Sequence, residues 1–135
     1  MELDESTQRK IIQYMVHARK ALETGRLVMT HEDNIAAVNR AYYAIFYAAN
    51  ALLATQGLER SKHSGVIAVF RQHFVKTGIV APEFSSYYGE ALDDRHAGDY
   101  DLVEFGYEVA ERDLSQAERF VEQIEQVLRS MGVVP

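Results

Sequence analysis

The spacing of the apolar residues is the feature that most constrains the fold of this chain. These residues recur three and four positions apart along almost its whole length, and strict alternation, which would indicate strands, is nearly absent. Two such stripes are Ile11, Met15, Ala18 and Leu22 near the start, and Ala110, Leu114, Ala117, Val121, Ile124 and Leu128 near the end. Since Pro82 and Pro135 are the only prolines, long helices are not interrupted. The sequence therefore predicts an all-α protein.

Glycines and capping residues give the predicted helix boundaries. The predicted helices span about 6–24, 34–56, 61–77, 82–97 and 105–129. Gly25, Gly57 and Gly78 would end the first three, and Asp33 or Asn34 would cap the second. Because the connections are short, we expect an up-and-down antiparallel bundle of four or five helices. We expect one domain over residues 1–135, with its core at about 7–130.

Composition excludes several classes of site. The chain has no cysteine, which rules out disulfides, thiolate zinc sites and a cysteine nucleophile. Its first segment, MELDESTQRK, is polar and acidic, unlike a signal peptide, and no apolar run approaches the roughly 20 residues of a membrane span. We therefore expect a cytoplasmic protein without membrane contact. A net charge of -6 argues against broad non-specific nucleic-acid binding, but it permits a local basic pocket for one phosphate.

The stretch NRAYYAIFYAANALL places three tyrosines on a helix that should be deeply buried. Asn39, Tyr43 and Tyr47 share one side of this helix at a spacing of four. Arg40 is the only charge in the stretch, and an unpaired buried guanidinium would be costly. One interpretation is that the tyrosines simply fill the core. The other is that Arg40 leans into a polar cleft and pairs with an aspartate of residues 93–101.

The stretch RSKHSGVIAVFRQHF opens the third predicted helix with Lys62, His63 and Ser64. Backbone N–H groups and the helix dipole attract anions at this end of a helix, so Lys62 and His63 could hold a phosphate. In the alternative interpretation, Ser61 or Ser64 caps the helix and His63 is exposed.

The segment DDRHAGDYD, residues 93–101, concentrates chemically active side chains. Asp93 and His96 lie one helical turn apart, but with no second histidine four positions on we expect no metal and no cofactor. Arg95 offers a planar fork for a phosphate, and a histidine oriented by acids can move a proton. Together such groups suffice for metal-free cleavage of RNA. The alternative is a helix end followed by a turn over the residues DYD.

Three motifs taken together resemble the HEPN family, the higher eukaryotes and prokaryotes nucleotide-binding domain. They are AYYAIFYAANALL, KHSGVIAVFRQHFVKTG and RHAGDYD, in this order, within about residues 7–130. The resemblance is to small stand-alone members, and it implies a helical bundle and a homodimer whose interface forms a cleft. It also implies partnership with a minimal nucleotidyltransferase, often as a toxin–antitoxin pair. Many members are metal-independent ribonucleases that use an arginine and a histidine spaced a few residues apart.

Carried over by position, Arg95 matches the family arginine. Where the histidine would fall, at 100–102, this chain has Tyr100, Asp101 and Leu102, so it fits an R-x-x-x-D-Y variant. The resemblance then implies that Arg95 binds phosphate, Asp99 orients Arg95, and Tyr100 stacks or hydrogen-bonds in the cleft. Secondary candidates for binding a nucleotide or phosphate are Arg40, His63 and His96.

We therefore expect a protein that binds a nucleotide or RNA, as the toxin or ribonuclease component of a pair with a nucleotidyltransferase. An alternative is a non-catalytic dimeric module, or a substrate that its partner nucleotidylates on Tyr100. A third interpretation, a helical bundle that binds a small ligand, depends only on the 8 tyrosines.

Overall fold

A computed structural model describes residues 3–135, and all the regular structure in that range is helical. The helices are α1 (Glu5–Thr30), α2 (Asn34–Ala54), α3 (His63–Phe70), α4 (Pro82–Tyr100) and α5 (Tyr107–Ser130). A π-helical segment, Arg71–Val75, continues α3. The prediction of an all-α bundle is confirmed. Among the described helices, none is both long enough and apolar enough to cross a membrane.

Polar contacts show that three pairs of helices, α1 with α5, α2 with α4, and α4 with α5, run in opposite directions. Rising residue numbers on one helix meet falling numbers on the next. The pairs are Arg19–Glu125 and Arg26–Glu118 between α1 and α5, Asn39–Asp99 and Tyr43–Arg95 between α2 and α4, and Glu83–Arg119 and Asp94–Arg112 between α4 and α5. The four long helices therefore form an up-and-down antiparallel bundle, as predicted, with α3 as a short connecting helix.

Helix α2 lies at the centre of the bundle, because it contacts each of the other four helices. Most of its side chains are buried, which agrees with its nearly continuous apolar sequence. Both predicted apolar stripes, on α1 and on α5, are buried along their length. Side chains from α2 that reach the edge of this core are therefore positioned by a well-packed scaffold.

Gly25 does not end the first helix, contrary to the prediction. Helix α1 continues to Thr30, and Gly25 is buried within it. A Cβ at this position would lie 2.6 Å from Cδ2 of Leu114, so the glycine allows α1 and α5 to approach closely. The chain instead turns at Glu32, whose φ is 62°, and Asp33 caps α2 as predicted.

Gly98 does not end the fourth helix either. Helix α4 begins at Pro82, as predicted, but runs through Gly98, which is buried against the ring of Phe105. Asp99 and Tyr100 therefore belong to its last turn, and the predicted turn over DYD is wrong. The direction of the chain changes at Leu102, whose φ is 57°.

Helix α3 differs from the prediction at both ends. Neither Ser61 nor Ser64 caps it, since its N-cap residue is Lys62 and no side chain hydrogen-bonds there. The α-helical part ends at Phe70, before the predicted end near residue 77, and the chain turns at Gly78, whose φ is 83°. The short α3 places His63 against α2.

Candidate functional site

Arg95 lies on α4 among three tyrosine rings. Its Cζ is 4.6 Å from the centroid of the Tyr42 ring, 5.7 Å from that of Tyr43 and 5.9 Å from that of Tyr100. Its Nη1 donates a hydrogen bond of 3.4 Å to the hydroxyl oxygen of Tyr43. The negative faces of aromatic rings attract a guanidinium, so these rings hold Arg95 in place without cancelling its charge.

Arg95 differs from most arginines of the chain because it has no carboxylate partner. Within residues 3–135 it forms no ion pair, and its Nε is buried without a hydrogen-bond acceptor. The arginines that do pair with a carboxylate are Arg9, Arg19, Arg26, Arg112, Arg119 and Arg129. A half-buried cation without a compensating anion is unfavourable. The position is therefore suited to an anionic ligand.

Asp99 and Arg40 meet through an asparagine rather than through an ion pair. Asn39 donates from Nδ2 to Asp99 over 2.9 Å, and its Oδ1 accepts from Nε and Nη2 of Arg40 at 3.1 and 2.9 Å. The expected pairing of Arg40 with an aspartate is not formed, and Asp99 does not orient Arg95 through an ion pair. Arg40 does lie 4.9 Å from the Tyr43 ring centroid, so two guanidinium groups lie close to that ring.

His63 lies against α2 and is not the exposed residue of the alternative interpretation. Its ring stacks on that of Phe46 at 4.4 Å and 14°, and on that of Tyr42 at 5.5 Å and 21°. Its Nδ1 is 2.6 Å from the hydroxyl oxygen of Tyr42. Burial, and then the positive charge of Arg95, lower the pKa of His63 below its usual value. The imidazole is therefore neutral at pH 7.

Tyr100 and His96 lie on the exposed side of the same region. Tyr100 is 64% exposed at the end of α4, where its ring faces both Arg95 and solvent. The His96 ring lies 5.1 Å from that of Tyr100, but His96 itself is exposed. This open aromatic surface beside a cation can stack a nucleobase.

We call Arg95, Tyr42, Tyr43, His63 and Tyr100 the arginine–tyrosine cluster. Of the residues predicted for the site, the cluster brings together Arg95, His63 and Tyr100. Arg40 and Asp99 adjoin it through Asn39, and His96 adjoins it through Tyr100.

Sequence reasoning missed Tyr42, the ring that Arg95 and His63 share. The spacing of Tyr42 and Phe46 on one side of α2 is the only signal that could have pointed to it. In the described part of the chain, no group of three or more His, Asp or Glu side chains is arranged to hold a metal ion.

A groove of about 570 Å³ lies elsewhere, between α1 and α5. It is lined by Arg19, Arg26, Glu118 and Glu125, among others. Ion pairs across the groove join these arginines to glutamates, so the charges of its walls largely cancel. The groove is therefore not a better candidate for binding an anion, in spite of its size. In the arginine–tyrosine cluster, by contrast, the charge of Arg95 is not paired with any carboxylate of the described residues.

One family model and several known proteins match most of the length of this chain. The family model described as the HEPN domain matches residues 13–129. A UPF0332 protein of Thermotoga maritima is 43% identical over 124 residues, which cover 90% of this chain and 94% of that protein. Two proteins of Methanocaldococcus jannaschii, named "Putative toxin MJ0142" and "Putative toxin MJ0605", are each 33% identical. The alignments cover 94% and 91% of this chain, and 87% and 92% of those proteins.

Proposed function

Because the chain belongs to the HEPN domain family, we propose that it binds RNA or a nucleotide at the arginine–tyrosine cluster and acts as a toxin of the ribonuclease type. The names of the two M. jannaschii relatives support the toxin role. A minimal nucleotidyltransferase is the proposed partner, as the resemblance of the three motifs implies.

The observation that carries this proposal is the electrostatic state of Arg95. Its guanidinium is half-buried, faces tyrosine rings and lacks a carboxylate, while most other arginines of the described chain are neutralised by one. A phosphate would supply the missing acceptors for the Arg95 N–H groups, and a second cation, Arg40, also lies close to the Tyr43 ring. An acidic protein can thus bind one phosphate group of RNA locally.

The exposed apolar side chains beside the cluster support a homodimer. Leu102 is 82% exposed, and the side chains of Val103 and Tyr107 are exposed as well. They follow Tyr100 along the connection between α4 and α5, so a second copy packed there would enclose the cluster in a cleft. Light scattering coupled to size-exclusion chromatography measures this directly, and a monomer at micromolar concentration would contradict the dimer.

The test of the function is Arg95→Ala, compared with Arg119→Ala as the matched control. Arg119 also lies over a tyrosine ring, that of Tyr87, at 5.2 Å, but it pairs with Glu83. Loss of a charged hydrogen bond costs about 1.5–3 kcal/mol, which corresponds to a loss of affinity of roughly 10-fold or more.

We therefore expect Arg95→Ala to weaken binding of a labelled single-stranded RNA by at least about 10-fold and to abolish growth inhibition. Arg119→Ala should change neither, and circular dichroism should show both variants folded. Equal RNA binding and equal toxicity in the two variants would remove Arg95 from the site. Arg95→Lys, which keeps the charge but loses the planar fork, should fall between wild type and Arg95→Ala.

A second candidate function is that of a substrate which the nucleotidyltransferase modifies on Tyr100. The exposure of this hydroxyl at the end of a helix favours the idea. Tyr107, which is 59% exposed, provides a matched control. After co-expression with a minimal nucleotidyltransferase of the proposed type, mass spectrometry should find one or more AMP units on the Tyr100 peptide. The modification should be lost in Tyr100→Phe and kept in Tyr107→Phe, and an unmodified protein would exclude this function.

A further inference from the structure

We propose that His63 is the proton-transfer residue of RNA cleavage at this site, in place of the histidine that the motif on α4 lacks. This role depends on the ribonuclease function proposed above. The family motif would supply its histidine at residues 100–102, where this chain has none. The histidine that contacts the cluster instead comes from the start of α3, more than thirty positions earlier in the sequence.

Three aromatic rings of α2 contact the His63 ring and hold it against that helix. The rings of Phe46 and Tyr42 stack on it, with centroids at 4.4 and 5.5 Å, and the Tyr43 ring meets it edge-on at 5.6 Å and 87°. Arg95 contacts the rings of Tyr42 and Tyr43 as well. His63 and the phosphate-binding guanidinium are therefore both held against the same pair of tyrosines on α2, which sets their relative position.

The hydrogen bonding of His63 leaves one ring nitrogen available. Nδ1 is bonded to the Tyr42 hydroxyl, while Nε2 makes no hydrogen bond in the described part of the chain and is not sealed from solvent. Burial raises the pKa of Tyr42, so that this phenol keeps its proton at every physiological pH. When Nδ1 carries the hydrogen and donates it to the Tyr42 oxygen, Nε2 carries the lone pair that a general base needs.

The charged and titratable groups that contact His63 or lie close to it keep it neutral. Tyr42 and Tyr43 are the titratable groups of α2 in contact with its ring, and Arg95 of α4 is the nearby charge that acts on it. Burial and this cation both lower the pKa of His63. A neutral imidazole at pH 7 can accept a proton, whereas an imidazolium cannot.

The proposed step balances without a metal or cofactor. Nε2 of His63 takes the proton of a ribose 2′-hydroxyl as the 2′-oxygen forms a bond to the adjacent phosphorus. The bond from phosphorus to the 5′-oxygen of the next nucleotide breaks, and that oxygen takes a proton from water. The products are a 2′,3′-cyclic phosphate and a 5′-hydroxyl end, and His63 returns its proton to solvent. Arg95 stabilises the charge that develops on the phosphoryl oxygens.

The test compares His63→Gln with His17→Gln under single-turnover conditions. His17 is a suitable control because its ring also lies beside a tyrosine of α2, Tyr47, at 5.4 Å, outside the cluster. Loss of general base catalysis should slow cleavage by at least about 100-fold. The rates are compared at saturating protein concentration, so that a change in RNA binding does not enter the comparison, and His17→Gln should cleave at the wild-type rate. Added imidazole should partly restore cleavage by His63→Ala, and mass spectrometry should find cyclic phosphate ends on the wild-type products.

The wild-type protein offers a second test that does not depend on the folding of a variant. Its cleavage rate should rise with pH through an apparent pKa below that of free histidine, about 6.5, because only neutral His63 acts as the base. A rate that is flat from pH 4.5 to 6.5, or a His63→Gln variant as fast as wild type, would overturn the proposal. A wild-type protein that cleaves no RNA would instead refute the ribonuclease function, and the role of His63 with it.

Discussion

Replacing Gly98 by alanine tests whether close packing, rather than helix termination, explains the glycine in the RHAGDYD motif. Gly98 lies within α4, and a Cβ built on it would be 2.9 Å from Cε2 of Phe105 and 3.5 Å from Cγ2 of Ile35. The backbone of Phe105 is held in place, since its carbonyl oxygen accepts a 2.9 Å hydrogen bond from Asn34. The new methyl group must therefore displace a ring whose backbone is anchored to the start of α2.

Two opposing terms set the expected size of the effect. Alanine is favoured over glycine inside a helix by about 1 kcal/mol. Overpacking of a well-packed contact costs about 1–3 kcal/mol. For Gly98→Ala we therefore expect a net loss of roughly 0–2 kcal/mol in the free energy of unfolding.

Gly89 on the same helix provides the matched control. Its added Cβ would meet only Nη2 of Arg71, at 2.8 Å, at the end of an exposed side chain that hydrogen-bonds to Ser85. Because water can replace these exposed hydrogen bonds when Arg71 moves, Gly89→Ala should be neutral or stabilise the protein by up to about 1 kcal/mol. Both substitutions add one methyl group inside α4, but only Gly98→Ala should lower the free energy of unfolding.

Urea unfolding followed by circular dichroism measures both variants. A double-mutant cycle with Phe105→Ala isolates the contact, because the cost of Gly98→Ala should largely disappear when the ring is absent. The reasoning would be refuted if Gly98→Ala stabilised the protein as much as Gly89→Ala, or if Gly98→Ala and Phe105→Ala were additive.

Two further predictions concern charges outside the cluster. Burial, together with the neighbouring Asp94, raises the pKa of Asp113, so the folded protein binds a proton that the unfolded chain releases above about pH 4. The free energy of unfolding of the wild type should therefore fall as the pH rises from 5 to 8. Asp113→Asn should reduce this fall when both proteins are unfolded by urea at each pH. The same dependence on pH in wild type and variant would contradict the prediction. Arg26 bridges Glu111 and Glu118, so Arg26→Met should lower the free energy of unfolding by about 1 kcal/mol. That loss should shrink in 1 M NaCl, and a loss independent of salt would contradict an electrostatic origin.

Long helices with clear periodicity were predictable from the sequence, and interior glycines were not. The stripe that includes Ile11 and Met15 identified the buried face of α1 because three- and four-residue spacing is a local property. Gly25 was misread as a helix end, and the fourth predicted helix stopped just before Gly98, because a glycine has the same local signature whether it ends a helix or lets another element approach. Only the packing of distant partners such as Leu114 distinguishes the two cases.

The candidate site was predictable only in part, for a similar reason. Arg95 and Tyr100 are close in sequence, so a motif could place them together. The contact of His63 with the cluster depends on how the short α3 packs on α2, which no local pattern encodes. The partner of Asp99 proved to be Asn39, from another helix, rather than the nearby arginine.

The two tyrosines shared by Arg95 and His63 are consecutive residues of the central helix. Arg95 and His63 come from two different helices, α4 and α3, but both pack against these two residues of the central helix. Tyr100, at the last turn of α4, has no such support. For the RNA binding proposed above, this arrangement predicts that Tyr100 adapts to different nucleobases while Arg95 and His63 keep their contacts with the central helix.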